Sequence, residues 1–360
     1  MALPTGHPIT ELPDGIGNGT FLHIGIHIKI GQKPDPIMSP SSFAWWRDTR
    51  RIQTIREFST DMEHTSKPEN RSSLWIAAEA RGLDWSFWAN SGDSVKLRKQ
   101  ARFSGALNDP EFAQIYTSLC LALEADSAVP LFACGLDGGP TQSVPCRPDA
   151  CKTAAMPTGE QTALPPALEA IHVVPALSQS SPSALIRHET GRISGFLLLN
   201  PGWEGVICLA GATTHWALIS AEEVVSFQSF LTTGIASATL ASNGLASDDW
   251  SAQSIALTAA DTISRPELTA ARLAEALAAR VVHGASPEDT AGMVWGALLG
   301  AELAASRPYW LGQNLAIIGA KEHAAPYVVA MEAQGLSVTV ADAERMCLAG
   351  LTRAWRQREA

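Results

Sequence analysis

Side chains able to do chemistry first gather in a short stretch from Trp75 to Asp93, WIAAEARGLDWSFWANSGD. Two apolar runs joined by a tight turn predict a β-hairpin, with the carboxylates of Glu79 and Asp84 on either side of its tip. A hairpin tip can cradle a phosphate when its residues are small, because the anion must come close to backbone N–H groups. This tip carries Arg81, Leu83 and Trp85, with Gly82 as its only glycine. It is either a turn with another task or a phosphate loop whose chemistry has changed. A second strand–turn–strand pattern, GVICLAGATTHWALISAEEVVSFQSFL (205–231), repeats the arrangement and hints at two related halves.

The cysteines point elsewhere. Cys120, Cys134, Cys146, Cys151, Cys208 and Cys347 form no CxxC pair, and no histidine or cysteine cluster accompanies Cys146 and Cys151. Such spacing predicts buried thiols in a reducing compartment rather than a metal or redox site. A net charge of −10 argues against nucleic acid or an anionic membrane as main partner. No run of about 20 apolar residues is present to span a bilayer, and the N-terminus lacks the basic-then-apolar pattern of a secretory signal. The expected location is the cytoplasm.

The elements that must position these residues begin at Leu74. Residues 1–73 read as an N-terminal extension, expected to be largely disordered or to reflect an upstream start codon, Met62 lying close to the domain. It holds a strand-like FLHIGIHIKI and a polar linker, STDMEHTSKPENRSS. After the first hairpin, DPEFAQIYTSLCLALEAD has apolar residues at helical spacing and VPLFACGL reads as a strand. A loop-rich stretch from Asp137 to Pro166 leads to another strand, IHVVPAL. The last third is mostly helical: PELTAARLAEALAARVV is amphipathic, and PEDTAGMVWGALLGAELAASRPYW opens with Pro287 and acidic residues, as a helix N-terminus should. LAIIG, EHAAPYVVAMEAQG and SVTVAD form a strand–helix–strand unit, and ERMCLAGLTRAWRQ is a closing helix. Alternating strands and helices with two hairpin starts predict an α/β chain with mixed sheets. Its lobes are expected over 74–200 and 201–360.

Several stretches, in order from about Trp75 to Ala354, resemble the 2-dehydro-3-deoxygalactonokinases, sugar-acid kinases of the actin/hexokinase-like superfamily. That family opens with D-W-G-[ST]-[ST]-N-x-R-x-W. Here Glu79 falls on the aspartate, Arg81 on the glycine, Gly82 and Leu83 on the hydroxyl residues and Asp84 on the asparagine, while Trp88 keeps its identity. The family's G-M-V-G-S loop corresponds to GLDGG, Gly135 to Gly139, and its R-G-E-E-T to RHETG, in which Arg187 and Glu189 remain. Its second phosphate turn, P-G-T-H-x-K-W, corresponds to AGATTHW, retaining Gly211 and Trp216. LLGAELA around Glu302 and IIGAKEHAAPYVVAMEAQG around Gly319 match its nucleotide-side elements.

The resemblance implies two ribonuclease-H-like lobes with a cleft between them, the nucleotide on the C-terminal lobe and the acceptor on the N-terminal one. It implies ATP and Mg2+ as cofactors and a small-molecule sugar acid as partner; a homodimer is left open. Glu79 would hold the metal and, with Glu189, serve catalysis, Glu189 orienting or deprotonating the attacking hydroxyl. Arg187 would grip the acid's carboxylate with two parallel hydrogen bonds, with Asp84, Gly135 and Gly138 also on the acceptor. Arg81, Gly82, Gly211, Thr213, Thr214 and His215 would bind phosphate, and Gly319 and Ala320 the nucleotide. Arg81 could meet the anion directly or form an ion pair with Glu79 or Asp84. Because both phosphate turns are altered, two other readings stay open: an impaired pseudokinase acting as a sugar-acid sensor or partner protein, and an ATP-binding scaffold unrelated to sugars. The tryptophans at 85, 88, 203, 216 and 295 are expected in the core.

Overall fold

The structure, a computed structural model, describes residues 73–103, 109–126, 129–148, 154–155 and 168–359. The strand-like run at 21–30, the linker up to residue 72 and Cys151 lie outside the described residues.

The first half comprises β1 (Leu74–Arg81), β2 (Asp84–Ser91), β3 (Ser94–Arg102), α1 (Pro110–Ala122), β4 (Val129–Cys134), β5 (Thr141–Ser143), β6 (Ala154–Ala155), β7 (Leu168–Val174), β8 (Ala176–Ser180), β9 (Ser183–Ile186) and α2 (Glu189–Leu199). The second comprises β10 (Gly205–Ala210), β11 (Thr214–Ser220), β12 (Glu223–Phe230), α3 (Thr232–Ser242), α4 (Ala252–Ser264), α5 (Thr269–Val282), α6 (Pro287–Ala305), α7 (Arg307–Trp310), β13 (Leu315–Gly319), α8 (Lys321–Glu332), β14 (Val338–Asp342) and α9 (Ala343–Glu359). Local chemistry explains the best-defined starts. Asp109 accepts from the Glu111 N–H at 2.9 Å ahead of α1, and Ser286 from the Asp289 N–H at 3.0 Å ahead of α6, each with proline in the first turn.

The two expected hairpins each seed a mixed sheet, and the sheets share one plan. The larger runs β3-β2-β1-β4-β7-β6 and the smaller β12-β11-β10-β13-β14. In each, a hairpin supplies antiparallel strands and its first strand then pairs in parallel with a later one, β1 with β4 and β10 with β13. A third sheet joins β5, β8 and β9.

Alternation along β1 feeds two cores. Ile76, Ala78 and Ala80 pack with Trp85, Phe87 and the α1 residues Phe112 and Leu119. Trp75 and Ala77 face the other way, onto Trp88, Phe132 and the α9 residues Cys347 and Leu351. Along β10, Val206 and Cys208 face Trp216, Trp295 and Tyr327, while Ile207 and Leu209 face Ile193 and Phe196 of α2. Burying one such large side chain contributes roughly 1.5–3 kcal/mol. Trp85, Trp88, Trp216 and Trp295 are all buried, as expected, and Trp203 packs edge-on against Phe196.

Helix α9 therefore covers the first sheet and α2 the second, and the two helices cross each other. Glycines permit that crossing: a Cβ on Gly195 would overlap the Met346 carbonyl oxygen, and one on Gly350 the Gly191 carbonyl oxygen. This contact brings the first turn of α2 to the junction of the two sheets. Among the described residues, no helix is long and apolar enough to cross a membrane.

Candidate functional site

Both hairpin tips open on one cleft of about 920 Å3. The first contributes Arg81, Gly82 and Asp84; the second contributes Gly211, Ala212 and Thr213, with His215 just beyond. The start of α2 adds Arg187, His188, Glu189 and Arg192, and the start of α8 adds Ala320, Glu322 and His323. Neither helix has a side-chain cap; the N–H groups at the start of α2 turn to the Arg187 and His188 carbonyls and to Glu189, while those of Lys321 and Glu322 open α8 with the partial positive charge of a helix start.

The shared plan of the sheets identifies equivalent positions at the two tips. Gly135 follows β4 and lies against the Ala80 carbonyl oxygen; Gly319 ends β13 and lies against the Ala210 carbonyl oxygen. A side chain at either position would collide with the neighbouring strand. The residues after those alanines are Arg81 in one half and Gly211 in the other, so an arginine occupies in the first tip the place of a glycine in the second. The first tip is a two-residue turn with positive φ at Gly82 but not Leu83, the pattern of a type II′ hairpin. Arg81 lies back along its own hairpin, its Nη2 donating to Ser86 Oγ at 3.2 Å and its Nε 3.8 Å from Glu79 Oε2. The cleft beyond it remains open.

Beneath the tips lies a buried ionic cluster. Arg192 donates from Nε to Glu79 Oε1 at 2.8 Å, with both side chains almost fully enclosed. Burial opposes the charge of Arg192, but Glu79 and Glu189 more than offset this and raise its pKa. Glu189 Oε1 lies 3.1 Å from His188 Nε2 and 3.8 Å from His215 Nε2. Burial opposes ionisation of Glu189 too, yet His188, His215 and Arg192, with a backbone N–H, hold its carboxyl down at about 2. Burial lowers the pKa of His188 and of His215, favouring neutral imidazoles, and His215 Nδ1 shares a 2.7 Å hydrogen bond with Ser229 Oγ. A Cβ on Gly211 would stand 3.9 Å from Glu189 Oε1. The second tip thus closes on the same carboxylate.

Of the residues singled out in the sequence, the structure brings Arg81, Gly82, Asp84, Arg187, Glu189, Gly211, Thr213, His215 and Ala320 to the cleft wall. Five others do not reach it. Gly135 and Gly319 are held at strand crossings, and Gly138 sits in an exposed turn. Thr214 turns its hydroxyl inward to Tyr327, 2.6 Å away. Glu79 is enclosed, with its two oxygens toward Arg192 and Arg81; that placement does not fit a metal ligand, because a dication there would meet two guanidinium groups. Cys134 and Cys347 approach Glu79 closely enough for a three-ligand cluster, within 4.8 Å, but their thiols face each other at 3.6 Å beside the same arginine. Asp84 pairs loosely with Arg102 at 3.8 Å, and Arg187 pairs with Asp137. Arg192, His188 and His323 are cleft residues that the sequence reading passed over. The signal for Arg192 was its position one turn after Glu189, which places the two on one helix face.

A family model described as 2-keto-3-deoxy-galactonokinase matches residues 83–354. Among solved structures, a protein from Sinorhizobium meliloti proposed to be a 2-dehydro-3-deoxygalactonokinase is 20% identical, covering 79% of this chain and 96% of that one, with a TM-score of 0.67. Component A of (R)-2-hydroxyglutaryl-CoA dehydratase from Acidaminococcus fermentans is 8% identical over 80% of this chain and 99% of that one, at a TM-score of 0.48. The activator of 2-hydroxyisocaproyl-CoA dehydratase from Clostridium difficile, solved with bound ADPNP, is 8% identical over 79% and 96%, also at 0.48. No curated protein sequence matches significantly.

Proposed function

This chain belongs to the 2-keto-3-deoxy-galactonokinase family of carbohydrate kinases, and from that premise we propose that it transfers the γ-phosphoryl group of magnesium-ATP to the terminal hydroxyl of a 2-keto-3-deoxy sugar acid. The acid is 2-dehydro-3-deoxy-D-galactonate or a close relative, and the reaction takes place in the cytoplasm. The observation that carries the reading is the convergence of two hairpin tips and two uncapped helix starts on a single cleft.

Each wall supports a role. The triphosphate would lie between Arg81 and the Gly211–Thr213 turn, near the N–H groups that open α8, where charge-assisted hydrogen bonds and the helix dipole favour an anion. The metal would arrive with the nucleotide, since Mg2+ keeps most of its water and its phosphate ligands; Asp84 and Glu322 are the carboxylates on the cleft wall outside the ionic cluster. Arg187 would exchange Asp137 for the acceptor's carboxylate. Glu189, ionised at any working pH, would orient the hydroxyl and take its proton as the new P–O bond forms and ADP leaves. A carboxylate so weakly basic suits a loose transition state, in which the nucleophile need not be deprotonated early. Arg192 and Glu79 would form the floor that fixes Glu189.

The test is a coupled ADP-release assay with magnesium-ATP across a panel of 2-keto-3-deoxy sugar acids, run beside calorimetric titration of the same acids. Acceptor-dependent turnover, with Arg187→Ala raising the acceptor KM at least tenfold, is the expected result. Acid binding without turnover would assign the pseudokinase reading, and nucleotide binding indifferent to every acid the scaffold reading.

A further inference from the structure

Outside the cleft, the most unusual polar group among the described residues is Glu302 on α6. It is 2% exposed in the core between the second sheet and its helices. Its hydrogen-bonding partners are neutral. Trp216 Nε1 on β11 donates to Oε1 at 2.7 Å, the Tyr327 hydroxyl on α8 donates to Oε2 at 2.9 Å, and Thr232 at the start of α3 is a further partner. The other titratable group facing it is the Cys208 thiol on β10. Burying such a carboxyl costs stability that its hydrogen bonds offset only in part.

Its connections suggest a purpose. The Tyr327 hydroxyl has a single proton and gives it to Glu302, so it accepts from the Thr214 hydroxyl 2.6 Å away. Thr214 directly follows the Gly211–Thr213 tip. Tyr327 belongs to the helix whose start, Ala320 to His323, forms another wall of the cleft. One carboxylate thus ties two cleft walls together from behind.

We infer that Glu302 is a positioning residue for the nucleotide: through Tyr327 and Trp216 it holds the second hairpin tip and the start of α8 in a fixed arrangement for phosphate binding. The inference rests on the reading of the cleft as a nucleotide site. Glutamine at this position is isosteric but places an NH2 donor against the tyrosine, which reverses the hydrogen-bond chain to Thr214. Burial, only partly countered by hydrogen bonds from Thr232, Trp216 and Tyr327, lifts the Glu302 carboxyl to about 7. Protonation in wild type should therefore loosen the chain as pH falls through neutrality.

Steady-state kinetics and calorimetry with magnesium-AMPPNP, on wild type, Glu302→Gln and Tyr327→Phe, test this. Both variants should weaken nucleotide binding and raise the ATP KM about tenfold while the acceptor KM stays within twofold. The wild-type ATP KM should rise from pH 8 to pH 6, and that of Glu302→Gln should stay flat. A variant with lower thermal stability but wild-type KM values per folded molecule would show a structural role alone and overturn the inference. If wild type binds nucleotide but phosphorylates no sugar acid, the functional reading fails while the variants' AMPPNP affinities still decide the role of Glu302. If wild type binds no nucleotide, both fall.

Discussion

Glu189 has more demands placed on it than any other residue of the cleft. It is buried, ionised and flanked by two imidazoles, and the proposed acceptor hydroxyl must meet it. Glu189→Gln should lower kcat by about 10²–10⁴-fold, the range for a lost acid–base group, with the fold retained by circular dichroism. The same variant should alter acid stability. A carboxyl held at about 2, against its ordinary 4.5, stabilises the fold fully above pH 4.5 and loses that contribution as pH falls toward 2. Acid unfolding of the variant should therefore be flatter across this window. Arg192 and Glu79 should behave as a unit. Arg192→Met leaves the buried Glu79 carboxylate with only the longer Arg81 contact at 3.8 Å and should cost about 3–5 kcal/mol in denaturant unfolding, most of it regained when Glu79→Gln is added. At this scale the sequence showed which residue types were present, but not their partners. Glu79 read as a metal ligand because Arg192 is 113 positions away in sequence. Only the β1 alternation, which puts Glu79 on the same face as Trp75 and Ala77, could have directed it inward.

Elements were legible where periodicity or capping chemistry was strong. Both hairpins, α1, α6, the β13–α8–β14 unit and α9 lie where alternation, 3.6-residue spacing or a Ser/Asp-Pro start places them. The strand β3, SVKLRKQAR, gives little signal in the sequence because it is an edge strand with largely exposed, charged side chains, its inward Leu97 and Ala101 being interrupted by Lys99. Helix α2 gives little too, because glycines at 191 and 195 mask its helical signal. Those glycines are required by the crossing with α9, not by α2 itself. Gly195→Ala should force the two helices apart and destabilise the protein by at least about 1–3 kcal/mol, the usual cost of overpacking. Because α2 carries Glu189 and Arg192, activity at temperatures where the variant is still folded should fall as well. A Gly195→Ala protein with unchanged thermal midpoint and kcat would show that the crossing does not set the cleft.

At the scale of the whole molecule, two sheets of one plan each present a hairpin tip, and α2 packed on α9 joins them so that both tips open on the same space. The repeat was visible in the sequence as a second strand–turn–strand. Its consequence, that Arg81 and Gly211 occupy equivalent positions, required the strand register. The chain carries a net charge of −10, yet the cleft wall gathers Arg81, Arg102, Arg187 and Arg192. Asp84, Glu189 and Glu322 line the same wall, so the arginines make the cleft less acidic than the chain as a whole, which suits two anionic substrates brought together. The central claim is that one cleft holds both of them, and phosphorus NMR of the purified protein with magnesium-ATP and 2-dehydro-3-deoxy-D-galactonate tests it most directly. One new phosphate monoester on the sugar acid for each ADP formed, with both signals at least tenfold slower to appear in Arg187→Ala at subsaturating acid, is the result this account predicts. ADP and inorganic phosphate without the ester, or an unchanged ATP spectrum with every 2-keto-3-deoxy sugar acid tried, would contradict it.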